Sequence, residues 1–285
     1  MELVDRRTER VVALIDMDCF YCEVERRYNP SLIGKPVAVM QYNPFESTDH
    51  SVLSQGAEEE RIVNDSNGSL IAVSYEARAA GVKRGSMRGR EARAVCPQLV
   101  LVQVPTAHSK ANLEIYRQAG AEVVALLAAG GTTERASVDE AYVDLTAEAL
   151  RRLAAAAEQG DNTDATEALL RAAAEANAGG LDPGTHVSIA EGDGANKVSR
   201  EDVRGGHAGT GAGATATSEE TRSWWRRPLP MWPQDELLLA VGALITAELR
   251  ASVSEQLGYS CSAGIAHNKI VAKLCCGLHK VDTDA

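Results

Sequence analysis

Two short apolar runs that each meet acidic residues constrain this chain more than any other feature. Residues 11–15 (VVALI) are followed by Asp16, and residues 136–145 (ASVDEAYVDL) carry Asp139 and Glu140 between small and apolar residues. Such runs predict buried strands. Carboxylates at the edge of a buried sheet repel one another and resist desolvation unless a divalent cation neutralises them. The pattern therefore indicates a Mg²⁺-dependent phosphoryl-transfer site, with a solvated turn as the alternative for the Asp-Glu pair.

The remaining periodicity predicts an α+β chain. Strands are predicted at 11–16, 36–41, 70–74, 99–104, 132–136, 141–145 and 259–266, and helices at 19–28, 75–80, 88–95, 109–129, 147–178, 233–257 and 268–278. The segments 11–16, 109–129, 132–136, 141–145, 235–257 and 259–266 give the order β-α-β-β-α-β. That order is typical of the ferredoxin-like fold, with 20–108 as a smaller inserted α/β domain.

Two segments interrupt this order. Residues 43–68 hold six carboxylates against one arginine, Arg61, which predicts a mobile acidic insertion on the surface. Residues 179–222 are rich in Gly, Thr and Ala without apolar periodicity, which predicts a flexible loop within a larger insertion at about 151–232.

The net charge of −11 disfavours nucleic-acid binding over the whole surface, so the substrate is not a polynucleotide or the basic surface lies elsewhere. The six cysteines lie among apolar residues without a second pair to complete a zinc site, so we expect reduced, packed thiols. No apolar run approaches the ~20 residues that span a bilayer. The N-terminus also lacks a signal peptide. These features predict a cytosolic or nuclear location without a membrane partner.

Four motifs in order resemble those of the Y-family translesion DNA polymerases. They are residues 11–21 (VVALIDMDCFY), 74–82 (SYEARAAGV), 136–142 (ASVDEAY) and 261–269 (CSAGIAHNK), the last running on to residues 278–280 (LHK). The first and fourth are similar to the eta branch in particular. The resemblance implies a ferredoxin-like palm made of residues 1–19 and 109–285 and a small fingers domain of residues 20–108.

The resemblance also implies roles for individual residues. Asp16, Asp139 and Glu140 would be the catalytic, metal-binding carboxylates, and the backbone carbonyl of Met17 a further ligand, for two Mg²⁺ ions or for Mn²⁺ in their place. Asp18 matches a family acid that is not a ligand, and we expect it to cap the following helix.

The dNTP contacts that the resemblance implies fall on seven positions. They are Phe20, Tyr21, Gln41, Tyr75, Arg78, Arg84 and Lys280. Tyr21 matches the steric gate, an aromatic ring that would collide with a 2′-hydroxyl. Gly85 is an extra residue against the family pattern and could displace Arg84 by one position. Lys273, by contrast, is expected to be a solvated cation.

The resulting hypothesis is a DNA-directed DNA polymerase for translesion synthesis, located in the nucleus, with primer–template DNA and dNTP as substrates. The resemblance ends near Lys280 without a thumb or little finger, the regions that would hold the duplex and contact a sliding clamp and other replication proteins. The alternative is therefore a truncated, catalytically incompetent form that binds nucleotide or a protein partner. A nucleotidyl cyclase with similar carboxylates explains the acids but not Tyr75, Arg78 or the fourth motif.

Overall fold

The computed structural model describes residues 10–42, 61–108, 110–158, 162–178, 185–187 and 225–278. Their strands are β1 (Val12–Met17), β2 (Val37–Met40), β3 (Leu70–Val73), β4 (Val100–Gln103), β5 (Thr106–Ala107), β6 (Lys110–Ala111), β7 (Thr132–Arg135), β8 (Glu140–Asp144), β9 (Thr185–Val187) and β10 (Cys261–Ala266). Their helices are α1 (Phe20–Tyr28), α2 (Tyr75–Ala79), α3 (Gly89–Val95), α4 (Glu114–Leu127), α5 (Thr146–Glu158), α6 (Asn162–Ala178), α7 (Gln234–Leu257) and α8 (Lys269–Leu278).

The larger sheet has the strand order β7-β8-β1-β10-β9. β1 lies between β8 and β10 and is antiparallel to both. Successive β1 residues point to opposite faces. Ala13 and Ile15 therefore belong to the main core with α4 and α7, whereas Leu14 packs with Ala272 of α8. Helices on both faces explain why this strand is apolar without interruption as far as Asp16.

The smaller sheet has the order β3-β2-β4, with β2 antiparallel to β3 and parallel to β4. Its separate core contains Met40 and Leu101 of the sheet and Ala77 of α2. The mixed helix and sheet content confirms the predicted α+β class.

Most predicted elements are found within one or two residues of their expected bounds, and two positions are corrected. The helix expected at 109–129 begins only at Glu114, because β5 and β6 form a two-stranded ladder before it. His108, between these strands, has a left-handed backbone with φ +52°. The loop expected at 179–222 contains β9, which pairs in parallel with β10, and the rest of that loop lies outside the described residues.

The two predicted insertions are more ordered than expected wherever the structure describes them. Residues 43–60 lie outside the described part, but Ile62 forms a β-bridge to Val102 and the Val63 amide donates to the Leu101 carbonyl at 2.8 Å. Residues 151–178 are helical apart from the undescribed 159–161, and Leu170 of α6 packs on α7. The described ends of both segments are therefore parts of the folded structure.

Helix α7 corrects the expectation that no apolar segment approaches membrane-spanning length. Its 24 residues are long and apolar enough to cross a membrane by length and composition, but half of them are buried against the sheet and neighbouring helices. The core helix of a globular protein passes the same test. All six cysteines are buried and none forms a disulfide, in agreement with the expectation of reduced thiols packed as small apolar side chains.

Candidate active site

The pairing of β1 with β8 brings the three candidate carboxylates to one end of the sheet. Asp16 lies directly opposite Glu140 in the antiparallel register. One residue further on, the Met17 amide donates to the Asp139 carbonyl at 2.9 Å. Residues more than 120 positions apart in sequence are thus neighbours at the backbone, as their apolar flanks and the predicted hairpin require.

The hairpin turn that carries Asp139 is held by its own side chains. Ser137 Oγ donates to Asp139 Oδ1 at 2.6 Å and accepts from the Glu140 amide at 3.0 Å. The Arg135 guanidinium donates to the Ser137 carbonyl at 2.9 Å and to the Arg117 carbonyl of α4 at 3.2 Å. Asp139 and Glu140 are both partly buried. This arrangement disagrees with a freely solvated turn.

Lys273 of α8 is exposed, as expected of a solvated cation, but it also pairs with one of the candidate carboxylates, which the sequence did not reveal. Its Nζ lies 2.9 Å and 3.1 Å from the two Glu140 carboxylate oxygens. This hydrogen bond raises the pKa of Lys273, and the charge of Asp16 adds to the effect. Lys273 is four residues after Lys269, so both cations share one face of α8; this spacing was the available signal.

The donor set of the three acids and the Met17 carbonyl fits a hard divalent cation, because all are oxygen ligands. The ammonium of Lys273 beside Glu140 and near Asp16 shows that this end of the sheet attracts positive charge. Among the described residues, however, no three His, Cys, Asp or Glu side chains converge closely enough to hold a metal ion. The backbone placement fits a metal site, whereas the Glu140 and Asp139 side chains are hydrogen-bonded to Lys273 and Ser137.

Of the adjacent aromatic candidates Phe20 and Tyr21, only Tyr21 is partly exposed. Phe20 is 2% exposed and packs edge-on against Tyr259 in the core, with ring centroids 5.5 Å apart. Burial raises the pKa of Tyr21, and the nearby charge of Asp139 raises it further, whereas Arg117 and Arg84 oppose this rise. Tyr21 therefore lies beside the acidic site, and Arg84 is near enough for its charge to act on Tyr21.

Tyr75 and Arg78 lie together at the start of α2, as their spacing predicts. Ser74 caps this helix by accepting from the Ala77 amide at 3.4 Å. The Arg78 guanidinium lies 5.3 Å from the Tyr75 ring centroid, and its Nε donates to the Val73 carbonyl at 3.2 Å. An arginine fixed in this way can present its remaining N–H groups to a phosphate.

Asp18 does not have the capping role expected of it. Cys19 occupies the N-cap position of α1 with a left-handed backbone, φ +47°. The Asp18 carboxylate instead accepts a hydrogen bond from Ser262 Oγ at 2.8 Å. Burial raises the pKa of Tyr75, and so do the charge of Asp18 and a hydrogen bond with it. Asp18 thus connects β10 to the start of α2.

The other two predicted dNTP contacts are placed differently. Gln41 is exposed just after β2, where its backbone N–H donates to the Ser69 carbonyl at 2.9 Å. Lys280 lies outside the described residues, beyond the end of α8.

The described residues define an α+β protein with an acidic site where its central strand meets a hairpin. A family model, impB/mucB/samB, matches residues 15–277. The chain therefore belongs to this family, and the Y-family resemblance is confirmed.

Individual relatives are similar to this chain over nearly its whole length. The chain is 41% identical over 274 residues to a DNA polymerase eta of Arabidopsis thaliana, covering 95% of this chain and 32% of that protein. It is 37% identical over 281 residues to a DNA polymerase eta of Drosophila melanogaster, covering 97% of this chain and 27% of that protein. The chain thus spans about a third of the length of these relatives. The solved structure of DinB from Sulfolobus solfataricus is also similar to this chain. The superposition covers 93% of this chain and 45% of the DinB chain, with 18% sequence identity and a TM-score of 0.49.

Proposed function

We propose that this chain is the catalytic part of a template-directed DNA polymerase of the eta type, which acts in the nucleus in translesion synthesis. It would add a deoxynucleotide to a primer 3′-hydroxyl opposite damaged template. The observation that carries this proposal is the β1–β8 pairing, which puts Asp16 opposite Glu140 and Asp139 beside Met17. The relatives named DNA polymerase eta support it over nearly the whole chain.

The proposed architecture is a ferredoxin-like palm with an inserted fingers domain. In the larger sheet, β10, β1, β8 and β7 are neighbours, with α4 and α7 as the two connecting helices of the β-α-β-β-α-β order. Residues 20–108 would form the fingers around the smaller sheet, which has an apolar core of its own and also contributes side chains to the main core.

Asp16, Asp139, Glu140 and the Met17 carbonyl would hold the Mg²⁺ ions. When bound, divalent metal lowers the cost of deprotonating the primer hydroxyl and neutralises charge on the transferring phosphate. Ser137 and Arg135 fix the turn that carries Asp139, so that this carboxylate is presented at a defined position. In this arrangement Lys273 would exchange part of its contact with Glu140 for a position beside the triphosphate.

The dNTP itself would be bound by the chain's own side chains. Arg78, fixed over Tyr75, would donate to triphosphate oxygens, and Lys280 would add a second cation. Tyr21 would lie beneath the sugar and exclude a 2′-hydroxyl by steric overlap. Gln41 and Arg84 would contact the template and incoming bases.

Primer extension with Mg²⁺ on undamaged and damaged templates tests this proposal. We expect the double variant Asp139→Asn, Glu140→Gln to lose on the order of 10³-fold in rate, because several kcal/mol of charge stabilisation depends on these groups. Glu255→Gln, which changes an exposed acid of α7, is the matched control and should extend primers like the wild type. Equal extension by the wild type and the double variant would refute the site assignment.

A nucleotide-binding module without polymerase activity is the second candidate, and the net charge of −11 favours it. Titration of labelled primer–template at two salt concentrations, beside titration of dNTP with Mg²⁺, separates the two. Nucleotide binding without DNA binding at low salt would identify the module, whereas salt-dependent DNA binding would support the polymerase.

A further inference from the structure

Tyr21, the proposed sugar gate, rests on a second tyrosine. The ring centroids of Tyr21 and Tyr116 are 4.1 Å apart and the ring planes are inclined by 34°. Tyr21 belongs to α1 and is half-buried, whereas Tyr116 belongs to α4 and is fully buried. The position of the Tyr21 ring therefore depends on where the Tyr116 ring is held.

Tyr116 is held by a buried ion pair. Its hydroxyl donates to Oε1 of Glu25, and Glu25 is 1% exposed. Glu25 also accepts two hydrogen bonds from the Arg61 guanidinium, at 2.7 Å from Nη1 and 2.6 Å from Nη2. Two parallel bonds fix the carboxylate plane as well as its distance, which a single lysine contact does not do.

The helix spacing connects these contacts into one unit made of Tyr21, Tyr116, Glu25 and Arg61. Glu25 lies four residues after Tyr21, so both side chains project from the same face of α1 towards α4. Tyr116 meets Tyr21 through its ring and Glu25 through its hydroxyl. A shift of Tyr116 away from Tyr21 would therefore break a hydrogen bond to a buried carboxylate, which is costly.

The arginine of this unit, Arg61, belongs to the predicted acidic insertion. It is the first described residue after the acidic segment 43–60 and the single cation of the predicted insertion. The bridge between Ile62 and Val102 holds the following residue on β4. The described end of the insertion thus supplies the charge that keeps Glu25 paired, although the sequence pattern assigned the insertion no functional role.

We propose that Glu25 and Arg61 are positioning residues for sugar selection, which hold Tyr116 and thereby set the height of the Tyr21 ring against the ribose 2′-hydroxyl. This inference rests on the proposed polymerase function. Neither residue touches the nucleotide. Their effect reaches it through two aromatic rings and is expressed in the preference for deoxyribose over ribose, rather than in the metal-dependent chemistry.

Three variants loosen the unit at different points with little change in volume. Glu25→Gln removes the charge, Arg61→Lys removes the bidentate fork, and Tyr116→Phe removes only the hydroxyl. The assay is single-nucleotide insertion opposite a template dG, with kcat/KM measured for dCTP and for CTP. We expect the ratio of dCTP to CTP efficiency to fall about tenfold in each variant, equivalent to about 1.4 kcal/mol of lost discrimination.

Tyr259→Phe is the matched control. Tyr259 is also a buried tyrosine with a hydrogen-bonded hydroxyl, which accepts from Arg27 Nη1 of α1 at 3.2 Å. Its ring, however, packs on Phe20 rather than on Tyr21. We expect its sugar ratio to equal that of the wild type. Thermal melting of every variant identifies those that are unfolded, and Tyr116→Phe alone suffices if the two charge variants do not fold.

The outcomes separate this inference from the proposed function. A wild type that extends primers, with folded variants whose sugar ratio stays within twofold of it, would overturn the positioning role and leave the polymerase intact. A tenfold fall in Tyr259→Phe as well would also overturn it, because the effect would then be general to the core. A wild type that neither extends a primer nor binds dCTP with Mg²⁺ would overturn both.

Discussion

Replacement of Gly264 by alanine should separate α8 from the central sheet. Gly264 lies in β10, and a Cβ at this position would be 2.1 Å from the Ala272 carbonyl oxygen, 2.3 Å from the Cys276 nitrogen and 3.0 Å from the Cys275 carbonyl carbon. All three are backbone atoms of α8, so no side-chain rotation relieves the overlap. The closest contact is about 1.3 Å short of the 3.4 Å at which ordinary van der Waals contact begins.

The magnitude follows from this overlap. Overpacking a filled core costs about 1–3 kcal/mol, and contact with helix backbone puts Gly264→Ala at about 3 kcal/mol. For a chain of this size, each kcal/mol corresponds to roughly 2–4 °C, so the apparent melting temperature should fall by roughly 6–12 °C. Displacement of α8 would also move Lys273 away from Glu140, so primer extension should fall with stability.

Thermal melting followed by circular dichroism provides the measurement, and Gly277→Ala is its control. Gly277 lies in α8, and a Cβ added there would have nothing within 4 Å. Alanine there should leave the melting temperature unchanged or raise it slightly, because glycine is a poorer helix former than alanine and Gly277 is the penultimate residue of α8. A Gly264→Ala protein that melts within about 2 °C of the wild type, less than a 1 kcal/mol change would produce, would refute the close packing of α8 on β10.

Three further outcomes are expected. Burial raises the pKa of Cys19 to about 11, so iodoacetamide at pH 8 should leave Cys19 of the native protein unmodified by mass spectrometry; rapid alkylation would contradict its burial. Hydrogen bonds from two arginines on α5 lower the pKa of Glu148 to about 2 from 4.5. Its contribution to stability is therefore present above pH 4.5 and lost as the pH falls to 2, so the melting difference between wild type and Glu148→Gln should shrink over that interval. Ser262→Ala removes a hydrogen bond to Asp18, and the free energy of unfolding from urea titration should fall by about 1–2 kcal/mol; an unchanged value would contradict the contact.

Much of the fold could be predicted from the sequence because local patterns and tertiary packing agree. The uninterrupted apolar run of β1 reflects helices on both faces of its sheet. Helix α7 ends at Gly258, which has the left-handed backbone that glycine adopts freely, φ +75°. Each of these signals lies within one segment, so no knowledge of distant residues is needed to interpret it.

The parts that could not be predicted depend on partners far away in sequence. β9 is a strand because it pairs with β10, and its three residues have no distinctive pattern of their own. Residues 61–63 look like the end of an acidic loop until β4 provides the bridge for Ile62. Asp18 resembles a helix cap locally, whereas its hydrogen-bond partner, Ser262, is 244 positions away.

In the candidate site, too, some residues could be identified from the sequence and others could not. The acids could be identified from the sequence because a carboxylate beside a buried strand needs a cation, and their neighbouring positions followed from the hairpin. The position of Lys273 beside Glu140 could not be predicted, because it depends on how α8 packs against the sheet, where Gly264 of β10 closely approaches Ala272. That contact places an ammonium where the acids would otherwise repel one another. The same packing that stabilises the fold thus places one positive charge at the acidic end of the sheet, beside the carboxylates that the proposed polymerase function would use to bind divalent cations.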